Sequence, residues 1–189
     1  MAPLLYIEKG CYAQRLTSPD HDLTSIFMNE QKFWELIESA WESVPLLNDL
    51  RREALKTNKV DLFEGLSFGL DDEVSEVIAE KLRELSKDDL VKFNHLMEEK
   101  LFRLDREEIH QHTDGSDDGF LYCRGFIVGM GQRYYNLINT TPAKATTDAE
   151  AESICFVGYE VYRERFREEF PRESVYPIES GSNPDGWSD

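Results

Sequence analysis

From Met28 onward, apolar positions recur every three or four residues, the period of a helix with one buried face. Phe33, Trp34, Ile37, Ala40 and Trp41 share such a face behind Asn29, whose short side chain can accept from the free N–H groups of a first turn. Pro45 loses no hydrogen bond at a helix start. It opens a second helix with Leu46, Leu47, Leu50, Ala54 and Leu55, whose pattern weakens at Thr57, Asn58 and Lys59. A loop carrying Gly65 and Gly69 is expected next. Asp71 and Asp72 would then cap a helix with Val74, Val77, Ile78, Leu82 and Leu85 inside. Ser86 and Asp89 approximate a capping box ahead of Leu90, Phe93, Leu96, Met97, Leu101 and Leu104.

Asp114 to Gly119 read as an acidic turn, followed by Phe120, Cys123, Ile127, Met130, Tyr134 and Leu137 at helical spacing. This stretch is apolar almost all round between Gly125 and Gly131, which places a helix in the middle of a bundle; a pair of buried strands is the competing reading. Gly125 and Gly129, four apart, would let a neighbouring helix approach closely. Thr147 and Asp148 should open the last helix, with Ile154, Val157, Val161 and Phe166 inward, before Pro171 ends it. The expected fold is mainly α: a single-domain bundle of about six helices with a short irregular N-terminal extension and a C-terminal tail. Residues 1–27, with one short strand at Leu4 to Ile7, form the extension, 28–176 the helical domain, and 177–189 an irregular tail packed on it with Trp187 as anchor.

Composition sharpens this picture. At 189 residues, with 40% hydrophobic and 12% aromatic content, the chain can bury enough apolar surface to offset the entropy of ordering. The 38 Asp and Glu against 21 Lys and Arg leave a net charge of -17, which repels phosphate backbones and argues against nucleic acid as a partner. The same charge would steer a basic protein towards this one. The longest apolar run, Gly125 to Gly131, is far below the about 20 residues a membrane helix needs, and no basic stretch precedes Leu4, Leu5 and Ile7 as a secretory signal would require. A cytoplasmic location without membrane insertion is expected.

Candidate chemistry is sparse. Cys11, Cys123 and Cys155 form no metal-binding spacing, and Cys123 and Cys155 fall on apolar helical faces as core residues. His110 and His112, beside Glu107, Glu108, Asp114, Asp117 and Asp118, would share a face only in an extended segment, so a helix end followed by a capped helix start explains the cluster without metal. Asp114, Ser116, Asp118 and Gly119 imitate the start of a calcium loop, yet Gly125 stands where the bidentate glutamate belongs. There is no GxSxG, no phosphate-cradling glycine loop and no HExxH, and His95, between Val91 and Leu96, reads as a solvated or half-buried helix residue rather than a general base. No catalytic residue, metal site or cofactor is expected. Asp118, Tyr122 and Arg124, grouped around a helix start, are the candidate ligand-binding residues, against the plainer reading of a cap, a packed aromatic and an ion pair. Trp34, Asn183 and Trp187 are the candidate partner-binding residues.

Three motifs then stand out together: Phe33-Trp34-Glu35-Leu36-Ile37, Asp118-Gly119-Phe120-Leu121-Tyr122-Cys123-Arg124, and Ser182-Asn183-Pro184-Asp185-Gly186-Trp187. In order and spacing they resemble a bacterial domain-of-unknown-function family, numbered 4240, over roughly residues 28–187. The resemblance implies a helical domain beginning at Met28 and adds no reaction. Function is thus expected to be an acidic interaction domain for a basic protein partner, in one version an immunity or regulatory protein. The alternative is a small-ligand-binding domain or uncharacterised enzyme with a polar pocket at Asp118, Tyr122 and Arg124.

Overall fold

The computed structural model describes residues 27–113, 116–172 and 174–188, and among these the fold is helical without a strand. The expected strand at Leu4 to Ile7 lies outside the described residues. Helix α1 (Glu30–Glu42) begins where Asn29 Oδ1 accepts from the Lys32 N–H at 3.0 Å, and its Phe33, Trp34, Ile37, Ala40 and Trp41 are buried. Pro45 opens α2 (Pro45–Thr57), which ends at Asn58 in the left-handed region, φ 52°. Asparagine tolerates that conformation better than most residues, and its N–H still reaches Ala54 O.

The loop expected at Gly65 and Gly69 is instead helix. α3 (Val60–Gly69) runs through a π turn, Leu70–Val74, into α4 (Ser75–Arg83). Gly69 faces the Leu47 side chain of α2, so it serves contact between helices rather than a turn. Inside the π turn, Ser75 Oγ donates to Asp71 O at 2.6 Å and Asp72 O at 3.0 Å, supplying partners to carbonyls where the regular ladder is shifted. Leu70 and Val74 point inward, leaving Asp71, Asp72 and Glu73 on the outside.

α5 (Lys87–Arg103) starts at the foreseen box, with the Asp89 N–H donating to Ser86 Oγ at 3.1 Å. The Asp89 carboxylate does not close the box on the Ser86 N–H; its Oδ1 accepts from the Met28 N–H at 2.8 Å, tying the start of α1 to α5. After the single turn α6 (Glu107–His110) comes α7 (Asp117–Gly129), apolar nearly all round and packed against α5 and α9 (Glu152–Phe166). Gly125 is what permits this approach: a Cβ there would lie 2.6 Å from Ala151 O and 2.5 Å from Cys155 Sγ.

One continuous helix to Leu137 was the simplest reading, but Gly131, at φ 91°, separates α7 from α8 (Gln132–Thr140). The break strands carbonyls at the end of α7, and these are met from outside: Trp41 Nε1 donates to Gly129 O at 2.7 Å and Arg51 Nε to Met130 O at 3.1 Å. α9 starts at Glu152, later than Thr147, because its cap comes from another helix: the Asp71 carboxylate accepts from the Ser153 N–H at 2.7 Å. It ends at Phe166, ahead of Pro171, with Arg167 in the left-handed region. A core running from Phe33 and Trp41 through Phe63, Phe126 and Tyr134 to Ile154 and Val161 joins the helices. Each fully buried side chain of this size contributes about 1.5–3 kcal/mol.

Candidate functional site

Arg124 and the carboxy-terminal motif meet in a buried clasp. Arg124 is 0% exposed; Nη1 donates to Leu101 O at 3.0 Å, and Nη2 to Ile178 O at 2.9 Å and Ser180 Oγ at 3.1 Å. Burial pulls its pKa below the ordinary arginine value, and the nearby Asp105 charge opposes that shift. Asp105, also 0% exposed, accepts from the N–H groups of Gly181 and Asn183 at 3.0 and 2.9 Å and from Trp187 Nε1 at 3.1 Å. Trp187 in turn packs its ring on His110 and Phe120, so the tail is fastened at both ends of this motif. Arg124 and Asn183 therefore hold the chain to itself. Trp34, 3% exposed, lies in the core against Phe33 and Tyr135, with Nε1 3.4 Å from Glu30 Oε1. His95, half-buried on α5, has Nδ1 2.9 Å from the buried Glu98 carboxyl group. The two residues stand three apart on α5, a spacing that places them on one face.

Asp118 and Tyr122 lie elsewhere, on the exposed side of α7. Tyr122 Oη donates to Glu152 Oε1 at 3.1 Å, and its pKa is pushed up, first by desolvation and then by Glu152 and the more distant Asp118 charge. It lines a hollow of about 260 Å³ with Ser67, Phe68, Asp71, Asp148, Glu150 and Glu152. Asp71 is shared with a second hollow of about 330 Å³, whose acidic lining is Asp71, Asp72, Glu76, Glu160 and Glu164. Among the described residues, Arg83 is the one basic side chain lining either hollow, and it is occupied by Glu76 at 3.0 Å and Glu164 at 3.3 Å. Asp72 and Glu160 have no side-chain hydrogen bond or ion pair among the described residues. Beside them Phe68 is 81% exposed.

The π turn is what assembles this surface. Its shifted ladder presents Asp71 and Asp72 beside the start of α9, so carboxylates from the turn, from α4 and from α9 line one groove. A surface lined by carboxylates is one on which a cationic group can pair, and the Phe68 ring, lining the neighbouring hollow, adds an exposed apolar contact.

Cys123 and Cys155 are buried, and burial pushes the Cys155 thiol up to about 12, so it stays protonated and packs as a small apolar group. Among the described residues, no helix is long and apolar enough to cross a membrane. A family model described as "Protein of unknown function (DUF4240)" matches residues 28–164. No curated protein and no solved structure gave a match.

Proposed function

We propose that this chain, which belongs to the DUF4240 family, is a cytoplasmic protein-interaction domain that receives a basic segment of a partner protein on the acidic surface around its π turn. The observation that carries this reading is the pair of hollows joined at Asp71, where carboxylates outnumber their one guanidinium and an exposed phenylalanine stands alongside. Lysine or arginine side chains would pair with Asp72 and Glu160, while an apolar neighbour on the same segment would cover Phe68. Tyr122 lines one of the hollows, and the Asp118 charge acts on its hydroxyl from outside that lining. A net charge of -17 supports it further, by drawing cationic proteins in and keeping polyanions such as nucleic acids away.

The test uses a fluorescent peptide of about ten residues with alternating arginine and leucine, followed by anisotropy at two salt concentrations. Asp72→Lys with Glu160→Lys should weaken binding at least tenfold, and added salt should weaken the wild type as screening shortens the reach of the charges. Asp49→Lys with Glu53→Lys, on exposed positions of α2, changes the net charge equally and should leave affinity within about twofold. Equal losses from both pairs would mean that only overall charge attracts the peptide, and the proposed surface would be abandoned.

A further inference from the structure

A different hollow, of about 210 Å³, lies where the tail crosses α5 and α9, and its lining includes Glu98, Tyr159, Arg172, Tyr176, Ile178 and Glu179. Within that lining the Glu98 carboxyl group is 2% exposed, and a polar group out of water is costly unless its hydrogen-bonding positions are met. Tyr159 Oη donates to one of its oxygens at 2.6 Å and His95 Nδ1 lies 2.9 Å from the other. Burial first, and then Glu98 itself, push the Tyr159 hydroxyl well above its ordinary value, so it remains a donor at neutral pH. A carboxylate offers about four acceptor positions, so these two contacts leave about half of them open. Arg172, at the rim, has its guanidinium 4.9 Å from the Tyr159 ring and no ion pair among the described residues. Glu179, on the same rim, likewise has no ion pair among the described residues.

The hollow therefore offers acceptor positions on a buried carboxylate, a second carboxylate and a guanidinium that has no ion pair among the described residues, with Ile178 and Tyr176 as apolar wall. Its volume is below the roughly 300–1,000 Å³ of clefts for larger ligands, which restricts the occupant to a few heavy atoms more than its charged ends. We propose that it binds a free α-amino acid, with the ammonium on Glu98 and Glu179 and the carboxylate on Arg172. An ammonium brings three donors to a lining that has spare acceptors, and a carboxylate matches the planar fork of arginine. The opposite charges in the lining set the polarity of binding and reject molecules that carry only one of the two groups.

Thermal shift of the full chain with each of the twenty common amino acids at about 10 mM is the first measurement, since a ligand well above its dissociation constant raises Tm. At least one should do so, and calorimetry should show that its decarboxylated and its deaminated analogues bind at least tenfold more weakly. Arg172→Ala and Glu179→Gln alter exposed residues and keep the fold, and each should reduce affinity at least fivefold; Glu98→Gln should reduce it further. The site is refuted if none of the twenty raises Tm, or if Arg172→Ala and Glu179→Gln bind as the wild type does. Asp72→Lys with Glu160→Lys should leave amino-acid binding unchanged, which separates this site from the acidic surface.

Discussion

The Asp105 carboxylate, at 0% exposure, accepts from three N–H groups that come from the tail some eighty residues further along the chain. Asp105→Ala would leave those donors buried and unmet, at a cost of about 3 kcal/mol. Urea denaturation should show the midpoint falling with little change in slope, and limited proteolysis should cut the tail of the variant first. A loss within about 0.5 kcal/mol would mean that water replaces the carboxylate without penalty. Trp187 was legible as an anchor from its place in a Gly- and Pro-rich tail, although the same ring also read as a candidate partner contact. Asp105 was not, since between Leu104 and Arg106 it resembles any helix exit, and no spacing rule links it to Gly181 or Asn183. For the same reason Arg124 was grouped with Asp118 and Tyr122 by proximity in sequence, whereas its guanidinium is drawn inward by the carbonyls of Leu101 and Ile178.

Helix starts at Asn29 and Ser86 were readable because their capping partners lie three residues away, and the start at Pro45 because a proline loses no hydrogen bond in a first turn; local chemistry is what a sequence displays. The start of α9 was not, because its cap, Asp71, arrives from a helix some eighty residues earlier. The π turn leaves no residue signature either: Asp71, Asp72 and Ser75 look like an ordinary capped start, and the two glycines before them like a loop. Glycines within helices thus have different meanings that substitution can separate. Gly125→Ala should destabilise the protein by about 1–3 kcal/mol, since the new Cβ meets a backbone carbonyl that cannot retreat without moving α9. Gly65→Ala meets nothing within 4 Å and should add about 0.5–1 kcal/mol by removing freedom from the unfolded chain. Thermal denaturation of both variants checks the pair, and a stabilising Gly125→Ala would show that α7 and α9 are less tightly opposed than the structure has them.

Across the whole molecule, acid should weaken folding even though it removes repulsion among an excess of carboxylates. Asp89 is held below its ordinary pKa, chiefly by the Met28 N–H and then by Ser86, and Glu30 is held down mainly by Lys100. Groups with depressed folded values bind fewer protons than their unfolded counterparts. Their contribution is present in full above the unfolded value, near pH 4, and disappears as pH drops through the lower folded one. Denaturation midpoints should therefore fall between about pH 4 and pH 2, and Asp89→Asn should flatten that fall. Rising stability across the same interval would show that relief of self-repulsion dominates instead.

The family match stops at residue 164, while the clasp formed by Asp105 and Arg124 closes only with residues 178 to 187. Anyone trimming the chain to its matched portion would leave Asp105 and Arg124 facing a vacated seam beside the core, Asp105 without its three N–H donors and Arg124 with only the Leu101 carbonyl. We expect the smallest unit that folds by itself to include Trp187, and shortened versions should be judged against that limit before any failure to bind is blamed on the acidic surface.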